Sequence, residues 1–274
     1  GNVAVGSGSM AANVTSDFNV AVGTNALSKL TNDGATANTA VGYQAGAAIT
    51  TSHYNTLVGY WAGKSMTTGN GRSVLIGMRA GDAITTAEYN IAMGYDALGA
   101  NIVGSHNIAI GVGAGYDLKG PENVLIGHAA GENLTTSSGS VAIGHMAYYT
   151  ATTDLRGVAI GWKAMSGVPA GLALESCVAI GYLAMNAPSA TSGISGNVAI
   201  GANAGAVLTS GGGNVFVGYG SGDAVTSGGE NSFFGRHSGG ATNVGSGSTY
   251  VGYWAGGSVT TGNNNIAVGN DAMN

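Results

Sequence analysis

A run of mostly apolar residues that ends in glycine recurs along the whole chain. Copies of it read NTAVGYQAG at 38–46, NIAIGVGAG at 107–115 and NVAIGANAG at 197–205. Sixteen copies occur, and ten of the fifteen intervals between their central glycines are 17 residues. A fixed period over the full length predicts a solenoid in which each repeat forms one coil.

We number positions in each copy from its central glycine, which is position 0. Position −1 is always apolar, position −2 is Ala in ten copies, and position −3 is Val or Ile in twelve. Such a short β-branched run, closed by glycine, predicts a strand. Because side chains alternate along a strand, we expect positions −3 and −1 to face the inside of their own coil. The mostly Ala column at −2 would then face another element or another copy of the chain.

These patterns predict an all-β fold, a parallel β-solenoid of about sixteen 17-residue coils that forms a single repeat domain over 1–274. A coil of this length has room for about two short strands and their turns. Apolar residues at +7 followed by Thr at +8, as in Ile84 and Thr85, indicate the second strand, with Thr outward. One such thin rod has a small core, so we expect a parallel homotrimer, although the period alone does not set the number of chains.

Two columns of the repeat are candidates for structural ladders. Asn occupies position −4 in eleven copies, and stacked Asn side chains can hydrogen-bond from coil to coil. Glycine at position 0 suits a tight bend or a positive φ. The predicted ladder residues are Asn19, Asn38, Asn55, Asn90, Asn107, Asn123, Asn197, Asn214, Asn231, Gly42, Gly59, Gly77, Gly94 and Gly111.

Composition narrows the function classes. Only 8% of residues are charged, with 8 Lys and Arg against 13 Asp and Glu, which disfavours nucleic acid as a partner. No apolar run is long enough for a transmembrane helix, so we expect no membrane insertion. The single cysteine, Cys177, excludes a disulfide framework, and the scattered carboxylates and histidines match no catalytic or metal-ligand spacing. We therefore predict a protein that is not an enzyme, with no catalytic residues, cofactor or metal.

Several surface features remain candidates for binding. Aromatic residues at +1 and +2 suit either contact with a host-surface glycan or protein, or simple packing. Thr at +8 suggests ice binding as a lesser alternative. Two adjacent 20-residue coils, at 162–196, hold two of the three prolines, and their extra residues suit either a lateral contact or tolerated loop drift. The aromatic candidates are Tyr43, Tyr60, Trp61, Trp162 and Tyr182.

The repeat core, x-N-[VIT]-A-[VI]-G-x-x-A, resembles the head repeats of trimeric autotransporter adhesins of the Yersinia type. It resembles even more the NTAVGYQAG-type repeats of bacteriophage tail-fibre proteins. This resemblance covers nearly all 274 residues and implies a left-handed parallel β-roll that forms a trimer and attaches to a surface. Asn stands at −4, where the adhesin motif has Ser, and no receptor residue can be transferred.

From the resemblance we expect a structural and adhesive segment of a longer fibre. The first hypothesis is a phage tail fibre that attaches the virion to its host. The alternative is the head domain of a bacterial trimeric surface adhesin, and both imply an extracellular location on a virion or a cell surface. A depolymerising tailspike enzyme has less support, because no carboxylate pair recurs at one register.

Overall fold

A computed structural model of the chain describes residues 1–31, 34–69, 71–172, 174–187, 190–192, 194–241 and 245–274. The fold is a parallel β-solenoid of about fifteen turns with a spacing near 17 residues, which confirms the predicted fold class. The described residues contain no helix. Internal contacts divide the chain into two compact units, Gly1–Thr135 (unit 1) and Thr136–Asn274 (unit 2).

In unit 1, one three-residue strand per coil joins a parallel ladder. Equivalent repeat positions pair, as Ala92 pairs with Ala109, so coils of different length keep one register. A further pair of two-residue strands lies beside the ladder, β2 (Ser16–Asp17) with β4 (Gly34–Ala35). The ladder strands are β1 (Val3–Val5), β3 (Val20–Val22), β5 (Thr39–Val41), β6 (Thr56–Val58), β7 (Val74–Ile76), β8 (Ile91–Met93), β9 (Ile108–Ile110) and β10 (Val124–Ile126).

Unit 2 repeats this arrangement. Its short pair consists of β12 (Asp154–Leu155) and β14 (Leu174–Glu175). The ladder strands are β11 (Val141–Ile143), β13 (Val158–Ile160), β15 (Val178–Ile180), β16 (Val198–Ile200), β17 (Val215–Val217), β18 (Ser232–Phe234), β19 (Thr249–Val251) and β20 (Ile266–Val268).

The two faces of the ladder strands are reversed relative to the prediction. Position −2 lies inside the coil, where Ala21, Leu75 and Phe216 are all 0% exposed. Positions −3 and −1 face outward and are half-buried or exposed. The expectation was wrong because a 17-residue coil encloses a narrow interior. Alanine at −2 fits into this interior, whereas the β-branched side chains at −3 and −1 together would not.

Interior volume is shared between positions −2 and +4 of the same coil. All six coils with a large residue at −2 have Gly at +4, and seven of the ten coils with Ala at −2 have a large residue at +4. In the coil of Leu75, a Cβ on Gly81 would lie 3.0 Å from Leu75 Cδ1. In the coil of Ala92, the space is filled by Leu98, which is fully buried. In these thirteen coils the two positions compensate each other, so these coils hold a similar amount of apolar material.

The second strand predicted around +7 and +8 does not form among the described residues. The +7 side chains do point inward, and Ile49, Met66 and Ile84 are buried. Their segments run as bends and turns, and the additional strand pairs lie immediately before the ladder strands, as Ser16–Asp17 does. The apolar residue at +7 thus marks the core without marking a strand.

Candidate functional site

The Asn column at −4 lies in the interior of unit 1 and connects successive coils. Asn107 Oδ1 accepts hydrogen bonds from the backbone N–H of Asn123 at 2.9 Å and from its Nδ2 at 3.1 Å. Asn107 in turn donates its backbone N–H to Asn90 Oδ1 at 2.9 Å. Where Ser73 replaces Asn, its Oγ accepts from the N–H of Asn90 at 3.2 Å. Each side chain therefore satisfies a backbone donor of the next coil.

The same amides also close their own coils. Asn107 Nδ2 donates to Gly120 O at 3.0 Å, 13 residues further along the chain. In unit 2, Asn214 Nδ2 donates to Gly228 O at 3.0 Å, and Asn214 Oδ1 accepts from the N–H of Asn231 at 3.0 Å. Because the side chains of Asn107 and Asn214 are buried and paired within the chain, they offer no free polar atoms to a ligand.

The central glycines form a column in which backbones approach closely. Their φ angles lie between +122° and +141°. A Cβ on Gly94 would lie 2.5 Å from the carbonyl oxygen of Gly111, and its φ is +137°. An L-amino acid with a side chain meets both a disfavoured conformation and a backbone clash there, so the column requires glycine for structural reasons.

The outward face of the ladder carries three columns, at −3, −1 and +1, which we name the outer face; the −1 column is apolar throughout, and the other two are mostly apolar with some polar residues. Large apolar side chains on it are substantially exposed, for example Met93 at 38% and Tyr95 at 43% in unit 1, and Tyr219 at 51% in unit 2. Over all sixteen copies these three columns contain one charged residue, Arg236. From −3 to +1 the outer face extends four residues along the strand, about 13 Å, and the eight coils of each unit extend it about 35 Å along the stack. Its area is therefore roughly 450 Å² in each unit. Contiguous apolar patches of this size mark interaction surfaces.

The aromatic residues singled out from sequence lie at the edge of the outer face and stack on one another. In unit 1, Tyr43 and Tyr60 are parallel within 13° at 5.2 Å between centroids, and Tyr60 stacks on Trp61 at 4.7 Å. In unit 2, Trp162 and Tyr182 are parallel within 9° at 4.9 Å. Neighbouring rings cover both faces of Tyr60 and one face each of Tyr43 and Tyr182, so much of what these residues present is ring edge. Such edges suit packing against a protein surface better than stacking on a sugar ring.

The Thr residues at +8 use their hydroxyl groups within the chain. Thr50 Oγ1 donates to Thr67 O at 3.1 Å, and Thr209 Oγ1 donates to Thr226 O at 2.6 Å. Thr85 Oγ1 likewise donates to Ile102 O at 3.2 Å. These hydroxyls point along the stack of coils to the next backbone, so their hydrogen atoms are not presented to water as a regular array.

The two long coils are partly described, and Pro188 lies outside the described residues. Val168, Leu174 and Ile194 are buried, and the thiol of Cys177 donates to Ile194 O at 3.0 Å. The extra residues therefore contribute apolar side chains to the interior, while Gly171 and Glu175 are exposed. Cys177 occupies the −4 position, where its thiol partly replaces an Asn amide.

Charged residues pair locally beside the ladder. In unit 1, Arg79 Nε lies 3.0 Å from Asp96 Oδ1 and 3.4 Å from Asp82 Oδ2, and burial raises the pKa of Asp82 against the opposing effect of Arg79. In unit 2, His237 Nδ1 lies 3.5 Å from Asp223 Oδ2. Burial raises the pKa of Asp223, and the nearby His237 lowers it. No nucleophilic side chain completes a catalytic group with this pair among the hydrogen bonds of the described residues.

One groove was not singled out from the sequence. It lies in unit 1, has a volume of about 360 Å³, and is open to solvent. Ala47 and Ala48 line it together with two lysines, Lys29 from the preceding coil and Lys64 from the following coil. The sequence signal that could have found it is small. Lys29 stands at +6 and Lys64 at +5, and the coil between them has alanine at both positions.

No group of three or more His, Cys, Asp or Glu side chains in the described ranges is arranged to hold a metal ion. In the same part of the chain, we find no helix with the length and apolar character needed to span a membrane.

Comparison with models of protein families, with curated proteins and with solved structures finds no match to this chain. Arguments about function therefore depend on the repeat motif and on the geometry described above.

Proposed function

We propose that this chain is a structural and adhesive fibre segment that assembles as a parallel homotrimer and belongs to a phage tail fibre. The observation that carries the proposal is the outer face. Its three columns run through eight copies of the repeat in each unit, are mostly apolar, and hold a single charge in total. A mostly apolar surface with this regular period favours a partner with the same period, and a second and third copy of the chain would provide one.

Trimerisation on the outer face also accounts for the stacked aromatics. The edges of Tyr43, Tyr60 and Tyr95 lie beside the −1 column, so neighbouring chains would cover both together. Attachment to a host surface, and the choice of three chains, come from the resemblance of the repeat to tail-fibre sequences. The alternative is the head of a bacterial trimeric surface adhesin, which would use the same assembly. Ice binding has less support, because the Thr hydroxyls donate to backbone carbonyls.

The assembly is tested by light scattering on the full chain and on two variants. We expect a mass three times the 26.7 kDa of one chain. Met93→Glu places a carboxylate on the outer face and should convert the trimer to monomer at micromolar concentration. Thr68→Glu adds the same charge at an exposed turn and should leave the trimer intact. A monomeric wild-type chain, or equal behaviour of the two variants, would contradict the proposal.

Attachment to a host cell, and whether the chain belongs to a phage or to a bacterium, need separate measurements. Fluorescently labelled protein should bind whole cells of a susceptible bacterial strain and compete with the virus for adsorption. Tail or baseplate genes beside the gene would support the tail fibre. A signal peptide and a membrane anchor encoded in the same reading frame would instead identify a bacterial adhesin.

A further inference from the structure

We propose that the groove between Lys29 and Lys64 binds an acidic saccharide residue, one that carries a carboxylate or a sulfate. This inference rests on the proposed attachment function, for which it names a ligand class and a site. The groove lies within unit 1 and spans three successive coils. Its volume of about 360 Å³ is at the small end of the range of ligand sites, about 300–1,000 Å³, which suits one or two sugar units.

Positive charge is concentrated at the groove. The chain has four lysines and a net charge of −5, yet two of the four lysines line this one groove. Within the described ranges, neither Lys29 nor Lys64 forms an ion pair with a carboxylate. The lining residues include no Asp or Glu. Two lysines that line one concave surface and have no carboxylate partner among the described residues favour an anion.

The second argument is the position of Lys64. Its Nζ lies 3.7 Å from the centre of the Trp61 ring, and the side chain is half-buried. The cation–π contact restricts the side chain, so less conformational freedom is lost when an anion binds. Trp61 was predicted from sequence as a surface contact, and in the structure it acts on this groove through Lys64.

The third argument concerns neutral hydrogen-bonding groups. The side-chain amides of Asn25 and Gln44 line the groove and form no hydrogen bond with any described residue. Each offers a donor and an acceptor, which matches a pair of neighbouring sugar hydroxyls. Ser28 is already engaged, because its Oγ donates to Ala47 O at 3.2 Å. Two lysines, two amides without a hydrogen bond to a described residue, and two alanines in one groove fit an acidic sugar better than a simple inorganic anion.

The test measures binding of defined oligosaccharides to the full-length chain by calorimetry. The probes are tetragalacturonate as a carboxylated sugar, a heparin-derived tetrasaccharide as a sulfated one, maltotetraose as a neutral one, and hexaglutamate as an acidic peptide. We expect binding of at least one acidic oligosaccharide, weakened by salt, and none of maltotetraose. The two acidic arms separate carboxylate from sulfate. Absence of binding to both, or hexaglutamate binding as tightly as the saccharides, would overturn the inference.

Matched variants separate the groove from general charge. Lys29→Gln with Lys64→Gln should weaken binding at least tenfold. The control is Lys119→Gln with Lys163→Gln, which removes the same charge and includes a lysine that lies 4.6 Å from the ring centre of Trp162. It should change affinity less than twofold. Equal losses in both double variants would show that binding is non-specific, and circular dichroism confirms that each variant is folded.

Cell binding distinguishes failure of the groove from failure of the attachment function. If wild-type protein binds cells and the Lys29→Gln, Lys64→Gln variant binds them equally well, the groove inference is wrong and attachment stands. If wild-type protein binds the oligosaccharide but no cells, the site exists and the proposed function is wrong.

Discussion

Phe216 and Gly222 occupy one shared volume in the interior of unit 2. A Cβ on Gly222 would lie 2.6 Å from Phe216 Cδ1, and Phe216 is fully buried. In the coil of Ala179 the same space is filled from the other side by Met185, also fully buried. The backbone at +4 is left-handed in both cases, with φ +62° at Gly222 and +44° at Met185, so either residue type is accommodated.

This exchange predicts a compensating pair of substitutions. Phe216→Ala should destabilise the protein by about 3–5 kcal/mol, since it leaves a cavity. Gly222→Met should also destabilise it, by about 1–3 kcal/mol or more, because the ring blocks the new side chain. The double variant reproduces the Ala and Met combination within this one coil and should recover part of the lost melting temperature, while the preceding coil, in which Gly205 packs against Phe216, stays underfilled. Full additivity of the two losses would contradict a shared volume.

Substitution in the glycine column should be severely destabilising. Gly94→Ala combines a φ of +137° with a Cβ 2.5 Å from Gly111 O, and we expect a loss of at least about 3 kcal/mol. The matched control is Gly113→Asn, where φ is +64° and the nearest atom to a Cβ is 3.7 Å away. Asn25 occupies the equivalent position with φ +57°. Thermal unfolding should separate the two variants, and similar melting temperatures would refute the argument.

The Asn column should show a graded response. Asn107→Ala removes the acceptor for the N–H and Nδ2 of Asn123 and the donor to Gly120 O, all buried, and should cost about 3 kcal/mol. Asn107→Ser should cost less, because Ser73 shows that a hydroxyl can accept the same backbone N–H. Hydrogen exchange of the amide of Asn123 measures the effect directly. Unchanged protection in the Ala variant would contradict a role for the column in holding coils together.

Stability should depend on pH through Asp223. Burial raises its pKa above the unfolded value, so the folded state holds the proton more tightly. Stability from this group is therefore greatest at low pH and falls as pH rises from about 4 through the folded pKa. Asp223→Asn should flatten the change in melting temperature between pH 4 and pH 7, whereas the exposed Asp271→Asn should not. A variant with the wild-type pH profile would show that Asp223 does not control it.

The sequence predicted the parallel β-solenoid, because the period indicated stacked coils and the β-branched run before each glycine indicated a strand. The residues at −3, −2 and −1 were correctly taken as a strand, but its two faces were exchanged, because both are apolar and only the width of the coil decides which one fits inside. The +7 residues, such as Ile84, were expected in a second strand, since burial and strand geometry produce the same apolar signal in one repeat.

The groove was missed for a different reason. Lys29, Gln44 and Lys64 stand at different repeat positions, so no column of the repeat reveals them. Their convergence depends on the small spacing between coils, which brings residues 15 to 20 apart in sequence into contact. Patterns that obey the period are visible in the sequence, whereas sites made where the period is broken need the structure.

Shared interior volume also limits how such a chain can change its length. The coils of Gly46, Gly115 and Gly205 have Ala at −2 and no large residue at +4, and each borrows its filling from the next coil, from Leu57, Leu125 and Phe216 respectively. Removal of the coil of Leu75 would join two coils that each keep a large interior residue, Leu57 at −2 and Leu98 at +4. Removal of the coil of Leu57 would instead take away the side chain that packs against Gly46 in the preceding coil. Coils are therefore not interchangeable units, because a coil with Ala at −2 and Gly at +4 must be followed by a coil with a large residue at −2.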